Sequence, residues 1–311
     1  MEETHDPSTA TADPHRTRRR DLLELEITSR CQLTRSSHCY AEAGPTKAHG
    51  TMTTDDWKQV IDEAARIGVT KVQFIGGEPT LHPDFTKLVG HALDRAIGVQ
   101  EYSNLYRVKL RHWRLFEHPG VSLATSYYAN TDEGHDAVTG RKGSHVATRS
   151  NIIEALRRGI HVQVGIVDVL AGQRVDQARA ELEALGVTDI NIDRVRGVGN
   201  AAKLLPSTSE LCGNCAKGRA AIMPDGAVTP CVLGRFLPTG SVKGGSLKAV
   251  FESDRWGQVQ QLIPQRVGAG CTPDEDSCMP SPGANPSGAC TPADSNDCDP
   301  SRTPACNPKC N

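Results

Sequence analysis

The folded part of the chain opens on an alternation. Leu22-Leu-Glu-Leu-Glu-Ile27 puts apolar and acidic residues on opposite faces, as a half-buried strand does. A helix is expected next, capped by Thr54, with Trp57, Val60, Ile61, Ala64 and Ala65 on one face and Gly68 stopping it. Lys71 to Ile75 reads as the second strand, and Phe85, Leu88, Val89 and Ala92 mark another helix. Val99 to Ser103 and Val121 to Thr125 are strand-like. Val146 to Leu156 is helical, with Ile152, Ile153 and Leu156 expected inward, and Ile160 to Val169 is the next apolar run. Val175 to Leu185 is an amphipathic helix ended by Gly186, and Thr188 to Val195 is the last strand of the series. Strands alternating with helices in this way predict an α/β fold: a parallel sheet with helical crossovers. A parallel sheet gathers its functional loops at the carboxyl ends of its strands. The loop from Cys31 to Cys39, the turn Gly76-Gly-Glu-Pro79, Ser103-Asn104 and Ser126 all fall at such ends, so they are expected on one face.

The flanks read differently. Residues 1–20 lack apolar periodicity, end in Arg16, Arg18, Arg19 and Arg20, and are expected to be a disordered basic tail. The alternating unit runs from 21 to 204, and Pro206-Ser-Thr-Ser209 reads as a linker. In the following unit, 205–270, Ala220 to Met223, the turn Pro224-Asp-Gly226 and Ala227-Val228 form a β-like segment, and a helix is expected around Leu247 to Leu262. The tail from 271 to 311 holds eight prolines and six cysteines but no Val, Ile, Leu, Phe, Tyr or Trp. Such a segment buries too little apolar surface to offset its ordering entropy, so metal or cross-links would have to fix it.

Charge and cysteine content narrow the chemistry. A net charge of −2 favours neither nucleic acid nor an anionic membrane surface. No run of apolar residues is long enough to span a bilayer, and the N-terminus lacks the apolar stretch of a signal peptide, so a cytoplasmic location is expected. In that compartment the eleven cysteines read as metal ligands before disulfides. The GGEP turn has its own physical use: glycines let backbone approach a ligand, and Glu78 adds a negative charge suited to an ammonium group.

Three pieces carry a family resemblance: Leu22-Leu-Glu-Leu-Glu-Ile-Thr-Ser-Arg-Cys31, His38-Cys39-Tyr40, and Phe74-Ile-Gly-Gly-Glu-Pro-Thr-Leu-His-Pro83. They resemble the core of radical S-adenosylmethionine enzymes, in particular those with a SPASM auxiliary-cluster domain that modify ribosomally made peptides. The resemblance implies a partial (β/α)6 barrel followed by a small cysteine-rich domain. It implies a 4Fe–4S cluster held by a C-x3-C-x2-C loop, S-adenosylmethionine on its open iron, and a 5′-deoxyadenosyl radical that abstracts a substrate hydrogen. Gly76, Gly77, Glu78, Asn104 and Ser126 are then the expected cofactor-binding residues. The partners it implies are a peptide substrate and an electron donor such as ferredoxin or flavodoxin.

The cysteine loop departs from that pattern. With Cys31 first and Cys39 third, Arg35-Ser36 stands where the middle cysteine belongs. Ser36 or His38 could supply a harder ligand, which holds iron–sulfur clusters less well than a thiolate. Downstream, Cys212-Gly-Asn-Cys215, Pro224-Asp-Gly226 and Val228-Thr-Pro-Cys231 resemble the opening of a SPASM domain. Cys212, Cys215 and Cys231, with Cys271, Cys278, Cys290, Cys298, Cys306 and Cys310 of the tail, are the candidate ligands of auxiliary clusters. Zinc suits the C-x2-C spacing equally. Three readings therefore stand: a peptide-modifying radical enzyme, a catalytically impaired scaffold that binds S-adenosylmethionine or peptide, and a zinc-binding structural protein.

Overall fold

A computed structural model describes residues 21–34 and 37–264; the N-terminal tail and the six tail cysteines lie outside the described residues. The six expected strands form, at Leu22–Thr28 (β1), Lys71–Gly76 (β2), Gly98–Tyr102 (β3), Val121–Tyr127 (β4), Val162–Asp168 (β5) and Asp189–Arg194 (β6). They pair in parallel, each with its sequence neighbour. Helices Thr54–Arg66 (α1), Phe85–Asp94 (α2), Leu110–Phe116 (α3), Asp132–Thr139 (α4), Ser144–Arg157 (α5) and Val175–Leu185 (α6) make the crossovers. No helix among the described residues is long and apolar enough to cross a membrane.

Helix α1 starts one residue earlier than its sequence suggested. Thr53 caps it, taking the Asp56 N–H on its hydroxyl while the Asp56 carboxylate takes the Thr53 N–H. Along α5, Ile152 is fully buried as expected, but Ile153 is 38% exposed. Adjacent residues on a helix lie about 100° apart, so both cannot face the sheet. The expected helix from Leu247 to Leu262 is two, Leu247–Phe251 (α7) and Asp254–Leu262 (α8), because Ser253 caps the Trp256 N–H and starts a new axis.

The sheet continues past β6 in sequence and on the other side of β1 in space. Strands Arg219–Ile222 (β7), Ala227–Thr229 (β8) and Gly240–Ser241 (β9) extend it to the order β6-β5-β4-β3-β2-β1-β7-β8-β9. β7 pairs in parallel with β1, with Leu22 opposite Arg219 and Leu25 opposite Ile222, and β8 and β9 add antiparallel strands. β1 is therefore central and buried along its whole length. The helix-facing layer of the sheet, including Leu23, Leu25, Val72, Phe74, Val99 and Leu123, packs on Trp57, Ile61, Leu88 and Phe116 as the main core. The opposite face is polar: Gln73, Gln100 and Gln163 hydrogen-bond side by side across β2, β3 and β5, and Gln163 reaches Asp189 at 3.5 Å.

Candidate active site at the carboxyl ends of the strands

The cysteine loop leaves β1 and lies directly across the end of β2. Gly77 N–H donates to Thr28 O at 2.7 Å, and Glu78 N–H to Arg30 O at 2.8 Å. This crossing explains both glycines. A Cβ on Gly76, whose φ is +132°, would sit 2.3 Å from Thr28 O, and one on Gly77 would sit 2.3 Å from Arg30 O. Neither position has room for a side chain, because the loop backbone already fills it.

Glu78 is 2% exposed and is the centre of the turn. Its Oε1 accepts from Thr80 N–H (3.3 Å), Thr80 Oγ1 (2.6 Å) and Ser103 Oγ (2.9 Å), and its Oε2 accepts from Asn104 N–H (2.9 Å). Burial raises its pKa, and these hydrogen bonds pull it back. The carboxylate thus clamps the β2 loop to the β3 loop. Asn104 continues the network: its Oδ1 accepts from Gln32 Nε2 and Tyr106 N–H, both at 2.9 Å, and its Nδ2 lies 3.7 Å from Cys31 Sγ. The Cys31 thiol is buried, and that burial, with the charges of Glu78 and Cys39 beside it, pushes its pKa up to about 12.

Ser126 stands one strand further on. Its Oγ is 3.3 Å from Tyr102 OH, for which the bare Gly165 leaves space. Tyr128 OH meets His38 Nε2 at 3.0 Å, and the two rings pack edge to face. Burial lowers the His38 pKa to about 4, so its imidazole is neutral near pH 7, and its buried Nδ1 has no hydrogen-bond partner. The structure thus brings the Cys31–Cys39 loop, Gly76, Gly77, Glu78, Asn104 and Ser126 to one end of the sheet.

Cys215 and Cys231 form a second group, with their sulfurs 2.7 Å apart. Gly234 N–H donates to Cys231 Sγ at 3.3 Å, and Cys212 is buried in the same core. Among the described residues no three His, Cys, Asp or Glu side chains gather as a metal site.

Several residues of the site were not singled out from sequence. Glu24 and Glu26 of β1 face the polar side of the sheet and are met by the C-terminal segment: Val232 N–H donates to Glu24 Oε2 at 3.0 Å, and Arg235 Nη1 lies 3.3 Å from Glu26 Oε2. Two glutamates in a strand buried on both faces signal distant cationic or N–H partners. Glu101, given no role from sequence, is fully buried with both carboxylate oxygens unpartnered among the described residues, and burial raises its pKa well above the usual range. His82 and His135, expected at the surface or as caps, are buried: His82 Nδ1 accepts from Asp84 N–H at 3.2 Å, and His135 Nδ1 meets Ser144 Oγ at 3.1 Å.

Comparison with known proteins places this geometry. The model of the radical SAM superfamily matches residues 25–184, half of the chain. The chain belongs to the radical SAM superfamily. The PqqA peptide cyclase of Bradyrhizobium diazoefficiens is 31% identical over 205 residues, covering 64% of this chain and 49% of that protein. The mycofactocin maturase MftC of Mycobacterium tuberculosis is 31% identical over 180 residues, covering 57% and 45%. The chain thus spans about half the length of these relatives. Among solved structures, Streptococcus suis SuiB bound to S-adenosylmethionine superposes with a TM-score of 0.65 at 14% identity, over 78% of this chain and 68% of that one. The anSMEcpe structure with bound AdoMet and a Cp18Cys peptide gives 0.59 at 13% identity, over 78% and 82%. These likenesses show the partial-barrel fold.

The family's cofactors are S-adenosylmethionine and a 4Fe–4S cluster. The donor set fits them unequally. At the carboxyl ends the glycine turn, Asn104 and Ser126 offer backbone and side-chain polar groups of the kind an amino-acid ligand needs. For the cluster the loop offers two thiols, Cys31 and Cys39, with no cysteine between them. His38 does not fill the gap, since its Nε2 is turned to Tyr128 and it is not gathered with the two thiols. The loop is one thiolate short of the family's ligand set.

Proposed function

We propose that the chain is a radical SAM protein of the maturase kind, which binds S-adenosylmethionine at the carboxyl ends of β1 to β4 and acts on a ribosomally made peptide. The observation that supports this best is the Glu78 clamp, which holds the glycine turn, Asn104 and the cysteine loop as one rigid unit around the strand ends. A rigid first shell is what positioning a flexible ligand requires. Peptide as the substrate class is favoured by relatives that are named as a peptide cyclase and as a maturase, and by the SuiB structure bound to a precursor peptide.

In this reading the chain's own residues do three things. Backbone at Gly76 and Gly77 receives the methionyl end, Asn104 and Ser126 face the nucleoside end, and the polar face of the sheet receives the peptide. When bound, the family's cluster supplies the electron that opens the sulfonium, with ferredoxin or flavodoxin as its donor class; auxiliary clusters belong to Cys212, Cys215, Cys231 and the tail cysteines. With two thiols in the first loop, no reductive step is assigned to the loop as it stands. That shortfall favours a second reading, a scaffold that binds the same ligands without radical chemistry.

Isothermal calorimetry of S-adenosylmethionine, before and after anaerobic reconstitution with iron and sulfide, tests the proposal. Binding in either state, tightened by a precursor-type peptide, supports it. Absence of binding in both states refutes it.

A further inference from the structure

The peptide that carries Cys39 is held by two distant elements. The Cys39 carbonyl accepts from Asn200 N–H at 3.0 Å, and the Tyr40 carbonyl accepts from Arg235 Nη1 at 3.0 Å. The same guanidinium lies along Glu26, at 3.3 and 3.5 Å from its two oxygens, and 6.0 Å from the centroid of the Tyr40 ring. Glu26 is fully buried on β1, so Arg235 ties the cysteine loop to the central strand of the sheet. A planar guanidinium can serve a carbonyl and a carboxylate at once, which an ammonium on one stem does less well.

The origin of Arg235 matters as much as its targets. It follows a 3₁₀ turn, Val232–Gly234, that Cys231 caps. Gly234 N–H points at Cys231 Sγ, as N–H groups do toward metal-bound thiolates, and Val232 N–H is fixed on Glu24. Cys231 Sγ is in turn 2.7 Å from Cys215 Sγ. One short turn and one side chain therefore separate the C-terminal thiol pair from the loop at the strand ends.

We propose that Arg235 is a positioning residue that couples the placement of Cys39 to what the Cys215–Cys231 pair holds, a soft-ligand divalent metal such as zinc or iron. Metal on the pair stops rotation of the Cys231 side chain, fixes the turn and keeps the guanidinium on the Tyr40 carbonyl. An empty pair lets the turn and Arg235 move, and Cys39 becomes more reactive. The proposal rests on the reading of these C-terminal cysteines as metal ligands; it does not depend on S-adenosylmethionine or peptide.

The test is the rate at which iodoacetamide alkylates Cys39 in the full chain, read by mass spectrometry of its peptide, with zinc or with a chelator. Cys31 serves as the internal reference. In the wild type, zinc should slow Cys39 about tenfold, the weight of one charge-assisted hydrogen bond. In Arg235→Leu, Cys39 should react fast with or without zinc while the zinc content and the Cys31 rate stay unchanged. Arg235→Lys should restore part of the zinc effect. An equal zinc effect in Arg235→Leu would place the metal on Cys39 itself and overturn the proposal. So would Cys31 and Cys39 accelerating together, or no zinc effect in the wild type. No ligand of the strand-end site is present in this assay, so its failure and a failure to bind S-adenosylmethionine are read separately.

Discussion

Replacing Glu78 by alanine probes the clamp directly. The substitution strips the partner from four donors, of which two, Thr80 N–H and Asn104 N–H, are backbone groups that cannot rotate elsewhere. Each buried donor left unpaired costs about 1–3 kcal/mol. The hydroxyls of Thr80 and Ser103 can turn to other acceptors, and removing a buried carboxyl relieves some desolvation. A net loss of about 4 kcal/mol follows, large against the ~5–15 kcal/mol that holds a typical domain together. In urea unfolding followed by far-UV circular dichroism, the midpoint should fall by about 1.5 M, taking a slope of ~2–3 kcal/mol/M. Glu78→Gln keeps the shape and one acceptor oxygen but turns an amide donor toward other donors, so it should lose about half as much. The loss is expected without any ligand. An unchanged midpoint for Glu78→Ala would refute the clamp and return Glu78 to a purely ligand-facing role.

Two further outcomes follow from the same geometry. Gly77→Ala would put a methyl 2.3 Å from Arg30 O, so it should displace the cysteine loop and weaken S-adenosylmethionine binding by tenfold or more at little cost to the sheet; calorimetry at wild-type affinity would contradict the crossing as described. Glu26 has its pKa raised from 4.5 to about 7, burial outweighing Arg235, with Glu24 and Asp225 adding to the rise. Because the folded value lies above the unfolded one, its favourable contribution is complete below pH 4.5 and is lost as pH rises through 7, about 3 kcal/mol in all. Glu26→Gln should remove that slope from a plot of unfolding free energy against pH, and parallel curves would count against it.

Much of this was legible in the chain, and the reasons differ by element. Strands such as Lys71–Gly76 and Val162–Asp168 announce themselves because a sheet covered on both faces demands apolar runs. Their carboxyl ends then locate the site with no tertiary information, since parallel order alone puts those loops together. α3 and α4 escaped notice because seven or eight residues give too few turns for a periodic stripe. The pairing of β1 with β7 is invisible locally: some 190 residues separate the partners, and β-pairing at that range leaves no trace in a short window. Glu78 was picked out for its charge, but its engagement by Thr80, Ser103 and Asn104 depends on how two loops meet. Arg235 carries no motif at all, and only the buried glutamates on β1 hint that a cation must come from elsewhere.

The central claim is that the strand ends form the ligand site of this superfamily with a cysteine loop one thiolate short. Replacing the pair Arg35-Ser36 by a single cysteine restores the C-x3-C-x2-C spacing with Cys31 first and the present Cys39 third. The decisive measurement is the yield of 5′-deoxyadenosine from S-adenosylmethionine and dithionite, with iron counted per chain, in the wild type and in this variant. The account predicts more iron in the variant and cleavage well above the wild type, because thiolate ligation is the one requirement the loop lacks. Equal cleavage by the two proteins would show that another group already completes the set, and would contradict it.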